Sequence, residues 1–172
     1  MPKLRPLYTA IRLAVACLLL SIGLRTWLVM GLIEPVTVAG SSMAPTLKPG
    51  DPLVIYRNAW QWRQPRRWEL VVACNPAHGE ELCVKRIVGL PGETIALRDG
   101  RVTVDGRAVM QSLGRGFTLR HLAGRSTWQG RRWQLHADEY FLLGDQTSVS
   151  LDSRLWGPVP RRLFVGKPLG NR

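Results

Sequence analysis

Leu82-Cys83-Val84-Lys85-Arg86-Ile87-Val88-Gly89-Leu90-Pro91-Gly92 reads as a buried β-strand closed by a Pro-Gly turn. Apolar and β-branched residues fill it, and period-two alternation puts Cys83, Lys85 and Ile87 on one face. A lysine in the middle of such a strand is out of place as an exposed charge. Upstream, Glu69 to Cys74 is a second apolar, β-branched segment. Between the two lie Pro76 and Gly79, which are turn signals, so the flanks suit a hairpin. Cys74 and Cys83 then suit either a cross-strand disulfide or two reduced thiols. Downstream, Thr94 to Val109 reads as a hairpin, with Ile95 to Arg98 and Val102 to Val104 around Asp99-Gly100, then Asp105-Gly106. Gln111 to Arg132 is polar, rich in Gly and Arg, and reads as the body of a variable insertion loop over 110–135. Tyr140 to Leu143 is a strand leading into Gly144-Asp145. Trp156 to Pro160 turns away, and Leu163 to Val165 adds a last strand.

On the N-terminal side, Pro52 to Tyr56 is a strand after the turn Lys48-Pro49-Gly50-Asp51, and Val36 to Val38 is a short one. Many short strands with Gly/Pro turns predict a mainly β, antiparallel domain over 34–172. Arg57 to Trp68 interleaves four arginines with Trp60, Trp62 and Trp68. It reads equally as a solvated loop with packed indoles and as a lip resting on a bilayer, indoles at the headgroups and arginines on phosphates.

Leu7 to Ile33 is mostly apolar, interrupted by Arg12 and Arg25. Residues 11–33 are long enough to span a bilayer if Arg25 snorkels to an interface. Lys3, Arg5 and Arg12 then hold a short tail, 1–10, in the cytoplasm, and the β domain lies outside. A cleaved signal peptide and an amphipathic surface helix are the competing readings; no small-x-small site closes the apolar run, which speaks against cleavage. The chain of 172 residues carries a net charge of +12, which suggests an anionic partner. With no zinc-finger spacing, helix-turn-helix pattern or basic heptad helix, a lipid surface ranks above nucleic acid. No Cys/His metal spacing is present, and no metal or cofactor is expected.

Val38-Ala39-Gly40-Ser41-Ser42-Met43-Ala44-Pro45-Thr46-Leu47 leaves little bulk around a hydroxyl. An exposed serine nucleophile needs that, because substrate and oxyanion must approach the backbone. The hydroxyl also needs a base. His78, His121 and His136 sit in polar, loop-like surroundings and read as surface residues. Lys85 is the alternative. A lysine with an ordinary pKa near 10.4 is neutral in fewer than about one molecule in a thousand at pH 7, but apolar burial lowers that pKa by several units. The bland reading of Lys85 is a buried stem whose ammonium reaches water or Asp152.

Three stretches resemble, in order and spacing, the boxes of the type I signal peptidases. They are Ser42-Met43-Ala44-Pro45-Thr46-Leu47, then Lys85-Arg86-Ile87-Val88-Gly89-Leu90-Pro91-Gly92-Glu93, then Gly144-Asp145-Gln146 with Ser150-Leu151-Asp152-Ser153-Arg154 and Trp156-Gly157-Pro158-Val159-Pro160. The lysine box is of the bacterial type; the endoplasmic-reticulum type carries histidine there. The resemblance implies a signal-peptidase-like antiparallel β catalytic domain behind one N-terminal transmembrane helix. It implies a Ser/Lys endopeptidase that cuts exported preproteins after a small-x-small (Ala-x-Ala) motif, as a single-pass protein of the inner or plasma membrane. Ser42 resembles the nucleophile and Lys85 the general base. Ser150 is similar to the serine that orients the lysine, and Asp152 and Arg154 to a supporting pair. Val38, Gly40, Met43, Leu47, Cys83 and Val84 match positions lining the substrate surface.

Two departures stand out. Gly40 replaces the Ser or Thr that gives many relatives a side-chain oxyanion donor, and Gln146 replaces an asparagine. Cys83 stands where relatives often have a larger residue, which would widen the S1 pocket. The implied partners are preproteins and the bilayer, with no nucleic acid or metal. A dedicated maturation peptidase, for instance of a conjugative pilin, is the second reading. An inactive anchored binding module is the third, disfavoured by intact Ser42 and Lys85.

Overall fold

The computed structural model describes residues 5–79, 81–98, 101–108 and 130–170. It opens with one long helix, α1 (Arg5–Met30). Leu- and Ala-rich sequence favours it, and its one proline, Pro6, lies in the first turn, where no hydrogen bond is lost. Leu13, Leu18, Leu19, Leu20 and Leu24 are all at least 59% exposed on its surface. Among the described residues, no helix is long and apolar enough to cross a membrane. The bounds also differ from the expected anchor over 11–33: the helix starts at Arg5 and stops at Met30, and Ile33 already belongs to a strand.

The rest is antiparallel β structure. The strands are β1 (Ile33–Thr37), β2 (Pro52–Tyr56), β3 (Leu70–Cys74), β4 (Leu82–Gly89), β5 (Thr94–Arg98), β6 (Arg101–Val104), β7 (Arg107–Ala108), β8 (Arg132–Gln134) and β9 (Glu139–Leu143). A four-residue helix, α2 (Ser153–Trp156), β10 (Val159–Pro160), a 3-10 turn over Arg161–Leu163 and β11 (Phe164–Leu169) complete it. A seven-stranded sheet runs β1-β2-β11-β3-β4-β9-β10, and a four-stranded one runs β7-β6-β5-β8. The small sheet turns Ile95, Leu97, Val102 and Val104 onto Val88, Phe141 and Leu143 of the large one. Gly89 marks the closest approach: a Cβ there would stand 2.7 Å from both Ile95 and Phe141. The ladder between β4 and β9 shifts register at this point.

Several expectations change. The strand entering the serine turn begins at Ile33, before Glu34-Pro35, because β1 pairs along β2 from Ile33↔Tyr56 to Thr37↔Pro52. The expected insertion 110–135 is shorter at its C-terminal end, since β8 pairs with β5 through Thr94↔Gln134 and Ala96↔Arg132; residues 109–129, with His121, lie outside the described residues. So does the expected Asp99-Gly100 turn. The β3–β4 hairpin forms, but its register pairs Ala73↔Cys83 and Cys74↔Leu82. The two cysteines therefore point to opposite faces, and both are free thiols. In the segment 57–68, Trp60 is buried, Arg63 lies over its ring and pairs with Glu69, and Arg67 pairs with Glu93. Trp68 packs on the core. Trp62 is 86% exposed, so the packed-loop reading holds for most of the segment and the lip shrinks to one indole.

Candidate active site

The loop between β1 and β2 is clamped at its base. Val38 N donates to the Asp51 carbonyl at 3.0 Å, and Gly50 N to the Val38 carbonyl at 2.8 Å. Val38, Met43 and Leu47 pack with Leu53 and Leu70 beneath it. With those apolar side chains turned inward, Ser42 is left partly buried and facing β4.

From β4, Lys85 reaches the same point. Its Nζ donates to Ser42 Oγ at 2.8 Å and to Ser150 Oγ at 3.3 Å. Lys85 is only 4% exposed, and the Trp156 ring stands 5.9 Å from its ammonium. Burial pulls the Lys85 pKa below the ordinary lysine value; Cys83, Asp152 and Glu81 oppose that pull and Arg154 adds to it. Burial also pushes the neighbouring Cys83 thiol up to about 11. A hydroxyl at hydrogen-bond distance from a buried amine is arranged for proton transfer from Oγ to Nζ.

The third side of the site is the segment from Gly144 to Trp156. Asp152 caps α2, accepting from Arg154 N. Its carboxylate also accepts from Gly144 N at 3.1 Å and from Arg154 Nε and Nη2 at 2.7 and 2.8 Å. Arg154 Nη2 donates onward to the carbonyls of Thr147 and Ser150. The Asp152–Arg154 pair is thus a buried clamp that fixes the turn carrying Ser150.

A cleft of about 520 Å³ opens onto Ser42 and Lys85. Val38, Gly40, Met43, Cys83 and Val84 lie on its wall. Leu47 does not; it is 2% exposed and belongs to the core under the loop. Gly40 faces open space, with nothing within 4 Å of where its Cβ would be. His78 stands on the cleft rim and His136 is exposed. Gln146, the longer replacement, ties the serine loop by its backbone, donating to the Ser42 carbonyl at 2.9 Å.

The family model for signal peptidase, peptidase S26, matches residues 9–169. The chain belongs to that family, one of serine endopeptidases. It is 29% identical over 170 residues to the signal peptidase I of Leptolyngbya laminosa, covering 94% of this chain and 77% of that one. It is 31% identical to a probable signal peptidase I of Synechocystis sp., covering 89% and 67%. A solved signal peptidase I structure from Enterococcus faecalis matches 61% of this chain and 97% of that one, at 26% identity and a TM-score of 0.45.

Four residues that tie the cleft around Ser42 and Lys85 together carry no role in the sequence reading. Arg86, next along β4 from Lys85, makes a two-pronged pair with Asp145 at 2.8 and 2.6 Å and donates to the Trp68 carbonyl. Thr46 donates to the same carboxylate. These bonds pin the serine loop to β4 and to the end of β9. A charged residue beside Lys85 in a buried strand is the signal for Arg86, since such a charge needs a buried partner. The fourth is Gly144. A Cβ there would fall on Ser150 Oγ and lie 2.6 Å from the Ser42 carbonyl oxygen. Gly144→Ala must therefore push Ser150 or the serine loop aside, an overpacking that costs about 1–3 kcal/mol. We expect a folded protein whose kcat falls about a hundredfold or more, because a displacement near 1 Å in a catalytic group has that cost. Steady-state cleavage beside a thermal melt checks it; unchanged kcat in a folded variant rules out this role for Gly144.

Proposed function

We propose that this protein is a membrane-anchored signal peptidase that removes signal peptides from exported preproteins, cutting after a small-x-small motif. The observation that carries the reading is the 2.8 Å contact between Ser42 Oγ and a buried Lys85 at the wall of an open cleft. Neutral Lys85 takes the Ser42 proton as Oγ attacks the scissile carbonyl. The Ser42 backbone N–H faces the oxyanion, and Gly40 contributes no side-chain donor. Lysinium then returns the proton to the leaving amine, and the neutral amine activates water for deacylation. Ser150 holds Nζ in line. Val38, Met43, Cys83 and Val84 form the shallow surface that accepts Ala one and three residues before the cut. Cys83, smaller than its usual counterpart, widens that surface.

In this reading helix α1, not apolar enough to cross a bilayer on its own composition, serves as the anchor with Arg12 and Arg25 snorkelling to the interfaces. At 26 residues it is about 39 Å long, and its exposed leucines have no core to face, which suits lipid. The N-terminus is cytoplasmic and the β domain is outside, at the depth where a signal peptide emerges. The test is cleavage of an Ala-x-Ala precursor by full-length protein in detergent, with Ser42→Ala as control. Cleavage after the second Ala by the unaltered protein alone is expected. If folded protein leaves a panel of such precursors intact, general processing is wrong, and the dedicated peptidase becomes the reading to pursue.

A further inference from the structure

Besides Lys85, Glu81 is the only Asp, Glu, Lys or Arg on the described wall of the cleft. It directly precedes β4, so it stands on the same strand line as Cys83, Val84 and Lys85. Its position is fixed by Asn75, itself 6% exposed. Asn75 N donates to the Glu81 carbonyl at 2.8 Å, and Asn75 Nδ2 to Glu81 Oε2 at 3.2 Å. The Asn75 side-chain oxygen is taken by Ala77 N. No cation pairs with Glu81 among the described residues, whereas Glu34, Glu69, Glu93, Asp145 and Asp152 each hold an arginine. In a chain with 24 basic and 12 acidic residues, a held carboxylate that faces a substrate cleft and has no ion pair among the described residues is placed to take one from the substrate.

Strand geometry says where on the substrate that cation sits. Four residues along β4 separate Glu81 from Lys85, about 13 Å at the rise of a strand. An extended peptide whose reacting carbonyl lies at Ser42 passes Val84 and Cys83 first, the wall assigned above to the two small residues. Glu81 lies beyond them. We propose that Glu81 selects precursors carrying a lysine or arginine four or five residues before the scissile bond. The inference rests on the peptidase reading and adds a charge preference to it. The interaction is between partly exposed charges, so its effect is modest and falls with salt.

The test uses full-length protein in detergent and precursors that differ only at the fourth or fifth residue before the cut, with Lys, Gln or Glu there. The reading is the ratio of kcat/KM for Lys over Glu within one enzyme. We expect about three- to tenfold at low salt for the unaltered protein, shrinking as NaCl is added. Glu81→Gln brings the ratio near one, and Glu81→Lys inverts it. A purely structural role for Glu81 would change all three precursors alike. If the Gln precursor is cleaved in a Ser42-dependent way but the ratio is the same in all three proteins, the charge preference is wrong and the peptidase reading stands. If no precursor is cleaved, general processing of Ala-x-Ala precursors falls and this inference, which rests on it, falls with it.

Discussion

Lys85→Met is expected to cleave precursor no faster than Ser42→Ala, about four orders of magnitude below the unaltered protein. Methionine keeps the volume of the buried stem and removes only the amine, so the loss reads out proton transfer rather than packing. The unaltered protein should also show the base in its pH profile. Burial is the leading cause that lowers the Lys85 pKa. The neutral fraction therefore grows as pH rises through a value below that of an ordinary lysine, and kcat/KM climbs with it to a plateau. A limb at about 10.4, the reference value, would mean that the burial of Lys85 does not serve the reaction. The same shift has a consequence for stability. Between the lowered folded pKa and the higher unfolded one, the unfolded chain binds more protons, so stability rises with pH across that window. Below it the buried ammonium destabilises the fold by a constant amount. Lys85→Met removes this dependence and should melt higher than the unaltered protein at neutral pH, by about 2–4 °C for each kcal/mol of desolvation avoided. An inactive variant that is more stable distinguishes a functional buried charge from a structural one. An equally inactive but less stable variant would point to a structural lysine.

The lysine was legible because it breaks a local rule. A charge at the centre of an apolar, β-branched strand conflicts with the surrounding pattern, and such conflicts concentrate at functional sites. The strands around it were legible for the same reason in reverse, since β2, β3, β4 and β9 are short apolar runs bounded by Gly, Pro and Asp. Their order in space was not. β11 inserts between β2 and β3, although its residues Phe164-Val165-Gly166-Lys167-Pro168-Leu169 include Gly and Pro, which argue against a central strand. Gly166 is there because the neighbouring strand comes too close for a side chain: a Cβ would sit 2.5 Å from the Tyr56 carbonyl oxygen. Pro168 falls in register with Ile55. β8 was hidden in a polar, arginine-rich stretch, where only Trp133 turns to the core. The site's clamps were hidden because each joins residues far apart in the chain; Thr46 and Asp145 are 99 positions apart. Leu47 shows the opposite limit. Motif position suggested a place on the cleft, but a single leucine in a tight loop is as well used holding the loop down, and that is where it lies.

Arg154→Met is expected to destabilise the protein by about 3–5 kcal/mol, the cost of leaving one member of a buried ion pair without the other. Both side chains are 0% exposed. The variant strands the Asp152 carboxylate with, among the described residues, only the backbone donors of Gly144 and Arg154. It also removes the donor to the Thr147 and Ser150 carbonyls. At this chain length the midpoint of a thermal melt should drop by roughly 6–20 °C. Asp152→Asn should cost a similar amount, because it leaves the buried Arg154 guanidinium without a counter-charge and turns an NH2 towards its donors. In the double variant, Arg154→Met with Asp152→Asn, no charge is left unpaired. Its destabilisation should therefore fall well short of the sum of the two single changes, and that shortfall measures the coupling between the two side chains. Additive losses would show that Arg154 acts by packing and by its two carbonyl contacts alone. Activity should follow a different order from stability. Ser150 is held through its carbonyl by Arg154, so in Arg154→Met the hydroxyl that accepts from Lys85 Nζ loses its support, and kcat should fall even at temperatures where the variant is fully folded. Asp152→Asn keeps the Arg154 contacts with Thr147 and Ser150 and should retain more of its kcat than of its stability. The reverse ranking would place the clamp's importance in holding α2 rather than in aiming Ser150.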